Sequence, residues 1–99
     1  MKRIYEIDGK DFSSLAEFYD QISRALIPGA IWGRNLDAFN DILRGGFGTP
    51  DGGFVLRWLN SDVSKQRLGA EKFDQLMDII RLHGPGGDES ADNVELELL

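Results

Sequence analysis

Two aspartates, four residues apart, are the most suggestive chemical feature of this sequence. Asp37 and Asp41 lie in a stretch whose pattern predicts a helix, so this spacing places both carboxylates on one face. No basic residue separates them on that face, and their mutual repulsion costs roughly a few tenths of a kcal/mol. Such a face can be solvated surface, a metal site or a docking surface for a basic partner; composition alone favours the first.

Other candidate groups argue against catalysis and cofactor binding. Two carboxylates without a third ligand make a poor closed metal site, and the sequence has no cysteine. The single histidine, His83, falls at the end of a predicted helix, where we interpret it as a cap or an exposed side chain. The glycine-rich segment 45–53 lacks both the lysine and the following helix of a phosphate-binding loop, so we interpret it as a surface loop. We expect no enzymatic activity, no metal and no cofactor.

Length and charge narrow the class of protein and its partners. A chain of 99 residues sustains one compact core, so we predict a single domain over residues 1–99. A net charge of −6 disfavours nucleic acid and favours a basic protein partner. No apolar run approaches the ~20 residues of a membrane span. We expect a cytoplasmic protein, monomeric when free, that contacts no membrane.

Strand and helix patterns alternate along the chain and would hold the two aspartates in place. Strand patterns cover 4–7, 54–59 and 94–98, and helix patterns cover 15–26, 36–44, 61–67 and 70–82. Helical crossovers between strands return the chain in the same direction, which makes neighbouring strands parallel. The pattern predicts an α/β fold, a small three-stranded parallel sheet packed with three to four helices.

Local signals mark where these elements begin and which faces they bury. Ser14 and Glu17 have the spacing of a capping box, and Asn35 is a good cap for the helix that carries Asp37 and Asp41. The strand pattern 54–59 has apolar residues on both faces, which predicts a largely buried strand. Because the helices are few, we expect one face of the sheet to be only partly covered.

The remaining acidic residues carry less information. Asp74 and Asp78 repeat the spacing of four on the later helix, but nearby basic residues share their charge, which favours a solvated face. We expect Asp88, Glu89 and Asp92 simply to solvate the loop before the last strand.

The segment Trp32–Leu43, with the sequence WGRNLDAFNDIL, resembles the barstar family, intracellular inhibitors of secreted microbial ribonucleases. A second block, Val55–Trp58 followed by Ser64–Gln66, is also similar to the family and supports the first. The resemblance implies a three-stranded parallel sheet in which the second helix and the loop before it plug the active site of a ribonuclease. Carboxylates on that helix would stand where the phosphates of RNA bind.

The resemblance also implies which residues contact the partner. These residues are Ile31, Trp32, Gly33, Asn35, Asp37, Asn40, Asp41 and Asp78. The sequence departs from the family pattern at three positions: Ile31 stands where relatives carry tyrosine, Asn40 where they carry tryptophan, and Arg34 where they carry an acidic residue. Because two aromatic contacts are lost, a second hypothesis is a barstar-like module that binds a basic protein other than a nuclease.

Overall fold

Strands and α-helices alternate in a computed structural model that describes residues 2–45, 48–49 and 52–99. The strands are β1 (Ile4–Asp8), β2 (Phe54–Leu59) and β3 (Val94–Leu98). The helices are α1 (Leu15–Leu26), α2 (Leu36–Arg44), α3 (Ser61–Leu68) and α4 (Ala70–Leu82). Single 3-10 turns at Gly9–Asp11 and Ser90–Asp92 precede α1 and β3. The predicted order of elements is confirmed.

The three strands form one parallel sheet with β2 in the centre. The register places Tyr5 beside Leu56 and Leu56 beside Leu96. Both crossovers therefore run in the same direction across the sheet, and right-handed crossovers of that kind put their helices on one face. The predicted α/β class and the three-stranded parallel sheet are confirmed.

Helices cover the central strand on one face, and its other face is only partly covered, as the small number of helices predicts. Burial alternates along it: Phe54, Leu56 and Trp58 are buried, and the residues between them are half-buried. On the open face Arg57 donates to Glu97 at 3.0 Å and to Glu6 at 3.3 Å. The half-buried residues of β2 lie on this partly covered face.

Trp58 lies at the centre of the core and connects the helices to the sheet. Its fully buried ring stacks on Phe18 of α1 with centroids 5.3 Å apart and contacts Phe73 of α4 edge-to-face at 5.5 Å. The indole N–H donates to Ser64 Oγ of α3 at 2.9 Å. Phe18 in turn contacts Phe39 of α2, 5.3 Å away. One aromatic cluster thereby sets the position of α2.

The predicted caps start the helices that carry the core. Ser14 Oγ accepts from the Glu17 N–H at 3.2 Å, as the predicted cap requires. Glu17 Oε1 accepts from the Ser13 N–H at 2.9 Å, one residue before the position that a capping box uses. Asn35 Oδ1 accepts from the Ala38 N–H at 2.8 Å at the start of α2. The predicted loop 45–53 lies partly outside the described residues. No helix in the described ranges is long and apolar enough to cross a membrane.

Candidate functional site

α2 buries one face against the core and presents the other to solvent. Phe39, Ile42 and Leu43 are buried, whereas Asp37 and Asp41 are exposed. The buried side chains fix the rotation of the helix about its axis, because turning it would expose them. The two carboxylates therefore point outward from a held helix, as their spacing predicts.

Asp41 has a basic partner on its own helix. Arg44 Nη1 donates to Asp41 Oδ1 at 2.9 Å. The same guanidinium donates from Nε and Nη2 to the two carboxylate oxygens of Glu89, at 2.8 Å and 3.2 Å. These bonds from Arg44 hold the pKa of Glu89 below its ordinary value, and the bonds to Glu89 raise the pKa of Arg44. The expectation that Glu89 merely solvates a loop is wrong.

His83 ties α2 to the loop before β3. It occupies the C-cap position of α4 but is fully buried, so the interpretation as an exposed side chain is wrong and only the cap position is right. Its Nδ1 lies 2.6 Å from Asp92 Oδ2, and its Nε2 lies 2.5 Å from Asn40 Oδ1. Asp92 therefore holds a buried ring and does more than solvate the loop.

A pattern in the sequence could have revealed the burial of His83. The apolar residues of α4 that face the core are Phe73, Leu76, Met77 and Ile80. His83 follows Ile80 by three residues and so continues the same stripe. A polar residue at the end of an apolar stripe indicates a buried group that needs partners. Its partners, Asn40 and Asp92, come from other elements.

The loop that leads into α2 presents Ile31 and buries Trp32. The Ile31 side chain is 96% exposed. Trp32 is only 9% exposed. Its Nε1–H donates to Ser23 Oγ at 2.7 Å, and its ring packs edge-to-face with Tyr19, with the centroids 5.5 Å apart. Trp32 thus anchors the loop on α1, and Ile31 protrudes beside it.

The next residues set the direction in which α2 starts. Gly33 has little room for a side chain, because a Cβ there would lie 3.2 Å from the Ala38 side chain. Arg34 adopts a left-handed conformation with φ of 51° and forms an ion pair with Asp20 of α1. The charge that replaces an acidic residue of the family pattern is therefore neutralised within the chain.

Comparison with known proteins agrees with this geometry. The family model for Barstar, described as barnase inhibitor, matches residues 2–96. The chain belongs to the barstar family. The match spans the sheet, α2 and the loop before it, so the resemblance predicted from two short blocks is confirmed over nearly the whole chain. No curated protein is similar enough to this chain to count as a match.

In this barstar-family protein, the predicted contact residues form a continuous surface only in part. Five lie exposed along the loop and α2: Ile31, Gly33, Asn35, Asp37 and Asp41. Trp32 and Asn40 direct their polar atoms inward, to Ser23 and His83. Asp78 is exposed on α4, and within the described residues its side chain forms no hydrogen bond or ion pair that would link it to α2. Glu89, which sequence reasoning missed, is the carboxylate connected to Asp41 through Arg44.

His83, Glu89 and Asp92 also bring three potential metal ligands within 4.8 Å of one another. Each already has a partner inside the chain: the ring holds Asp92, and Glu89 accepts from Arg44. The Arg44 guanidinium also places a positive charge beside the group, which disfavours a cation. We therefore assign this cluster the role of holding α2 in this barstar-family protein.

Proposed function

We propose that this protein inhibits a ribonuclease by docking α2 and the loop 27–35 into the basic active site of the enzyme. A ribonuclease binds the phosphodiester of RNA with cationic side chains, so carboxylates held at a matching spacing can occupy the same positions. The observation that carries this proposal is the outward display of Asp37 and Asp41 on a helix whose other face is buried. Membership in a family described as barnase inhibitor supports it.

A rigid display of these carboxylates favours tight binding. Ordering a mobile segment costs free energy at the moment of association, and a segment that is already ordered avoids this cost. α2 is held at its start by the Asn35 cap and in its middle by Asn40 on His83. The docking surface is therefore organised before the partner arrives.

The residues of this surface take different roles. Asp37 and Asp41 pair with cations of the enzyme, and Ile31 provides an apolar contact at the rim. Gly33 and Asn35 allow close approach of the backbone at the start of α2. Trp32 acts by holding the loop, and Asn40 by holding the helix. We propose Asp78, exposed on α4, as a further contact. We propose that the protein acts as a cytoplasmic monomer when free.

Inhibition assays with site-directed variants test this function. Purified protein is expected to inhibit barnase or a ribonuclease encoded beside its gene. Asp41→Asn is expected to weaken binding about tenfold or more, because a charge-assisted hydrogen bond to the enzyme is lost. Asp62→Asn serves as the control: it removes the same charge from an exposed position of α3, whose main neighbours are α4 and the 3-10 turn Gly9–Asp11. Equal effects of the two variants would refute the role of α2.

One observation favours a second candidate, a basic partner that is not a nuclease. With Trp32 buried, Ile31 is the large apolar side chain that the loop exposes, and no aromatic ring within the described part of this surface is exposed. Capture of partners on the immobilised protein tests this alternative. A captured protein without nuclease activity, whose binding depends on Asp37 and Asp41, would support it over ribonuclease inhibition.

A further inference from the structure

The guanidinium of Arg44 lies between two carboxylates on the proposed docking surface. It gives one hydrogen bond to Asp41 and two to Glu89. All three side chains reach solvent, with 45% of Arg44, 57% of Asp41 and 32% of Glu89 exposed. A partner that approaches Asp41 therefore meets a carboxylate that already has a counter-ion.

We propose that Arg44 and Glu89 determine the affinity and specificity of this surface, a role that rests on the proposed function. In the free protein Arg44 is bonded to Asp41, so a partner has to compete with Arg44 for this carboxylate. Glu89 engages Nε and Nη2 of the guanidinium and leaves only Nη1 for Asp41. An incoming cation then has to replace a single hydrogen bond, while Arg44 stays paired with Glu89 in the complex.

This arrangement selects among basic partners. A competing internal cation weakens binding to every partner, but a partner that presents a well-placed lysine or arginine at Asp41 recovers the loss. A partner with a diffusely basic surface does not recover this binding energy, because its charges interact with Asp41 only weakly across water. Arg44 thus restricts binding to proteins with a strong cation at one position, which is the chemistry of a phosphate-binding active site.

Four variants, assayed for inhibition of barnase or of the ribonuclease that the wild-type protein inhibits, test this role. Arg44→Met is expected to tighten binding about fivefold, the upper range for an exposed ion pair that no longer competes. Lys65→Met, on α3, removes the same charge and is expected to change binding less than about twofold. Arg44→Lys keeps the charge and is expected to stay near wild type. Glu89→Gln is expected to weaken binding about threefold, because Arg44 then turns fully to Asp41.

The sign of the Arg44→Met effect decides the proposal. Weaker or unchanged binding by Arg44→Met would show that Arg44 does not compete for Asp41. Tighter binding that persists when Arg44→Met is combined with Asp41→Asn would also refute the proposal, because Arg44 would then act without Asp41. Thermal melting of each variant separates these effects from loss of folding. Inhibition that responds to Asp41→Asn but not to Arg44→Met refutes only the role of Arg44. Absence of inhibition by both the wild type and Arg44→Met refutes the proposed function as well.

Discussion

At the scale of single residues, buried polar groups with partners decide what the docking surface presents. Ser23, Ser64 and His83 are buried, and each forms a side-chain hydrogen bond. In the described part of the chain no buried polar side-chain atom lacks a partner. Such groups are costly to disturb, because removing one partner leaves the other desolvated and unpaired. Ser23 in this way fixes Trp32, and His83 fixes Asn40.

Replacing His83 tests its role as the link between α2 and the loop before β3. His83→Ala leaves Asn40 and Asp92 without their common partner and opens a cavity, so we expect a loss of about 2–4 kcal/mol in the free energy of unfolding. Urea denaturation measures this loss. Gln75→Ala, at an exposed position of the same helix, is expected to change stability by less than about 0.5 kcal/mol. A similarly small effect of His83→Ala would show that the buried contacts contribute little.

At the scale of elements, the structure depends on polar joints where one element ends and another begins. Asp8, the last residue of β1, accepts from the Lys10 N–H at 2.9 Å and from Asn60 Nδ2, also at 2.9 Å. Asn60 precedes α3 in a left-handed conformation with φ of 51°. Asp8 thus joins the end of β1 to the turn between β2 and α3.

This joint predicts a dependence of stability on pH. The Lys10 N–H and then the Asn60 amide lower the pKa of Asp8 below its ordinary value of 3.8. The carboxylate is therefore more acidic folded than unfolded, so it stabilises the fold above pH 3.8, and this contribution is lost as the pH falls through the folded-state pKa. Asp8→Asn is expected to be less stable near neutral pH and to lose less stability on acidification. Asp74→Asn, at an exposed position, serves as the control and is expected to follow the pH profile of the wild type. If Asp8→Asn also followed that profile, the role assigned to Asp8 would be contradicted.

At the scale of the whole molecule, the negative charge is unevenly used. The formal net charge is −6, yet several of the acidic residues are paired internally, as at Glu6 and Glu97 with Arg57 and at Glu95 with Lys2. Within the described residues, no ion pair is formed by Asp37. The overall charge attracts a basic partner from a distance, and α2 determines where the partner docks.

A steered association predicts a strong dependence on salt. We expect the association rate with barnase or the cognate ribonuclease to fall about tenfold or more between low and high sodium chloride, with a smaller change in the dissociation rate. Stopped-flow fluorescence and surface plasmon resonance measure the two rates. An association rate that does not respond to salt would show that the acidic surface does not guide the encounter.

The sequence alone determined the elements, the sheet and the face of α2 that carries the carboxylates. These features follow from short-range rules: a cap satisfies an N–H three residues on, an apolar stripe repeats every three or four residues, and a strand pattern alternates. Asn35, Asp37 and Asp41 obey these rules within one helix. The family resemblance rested mainly on the same short segment, with a second block in support.

Only the tertiary structure decided which of these groups are free to bind. Arg44 meets Glu89 across 45 positions of sequence, and Asn40 meets His83 across 43. Such contacts depend on how α2 docks beside α4 and the loop before β3, and the Trp58 cluster sets that docking. The same packing turned Trp32 inward. Side-chain partners brought together by a packed core leave no periodic trace in the sequence, because each residue is specified by a distant neighbour.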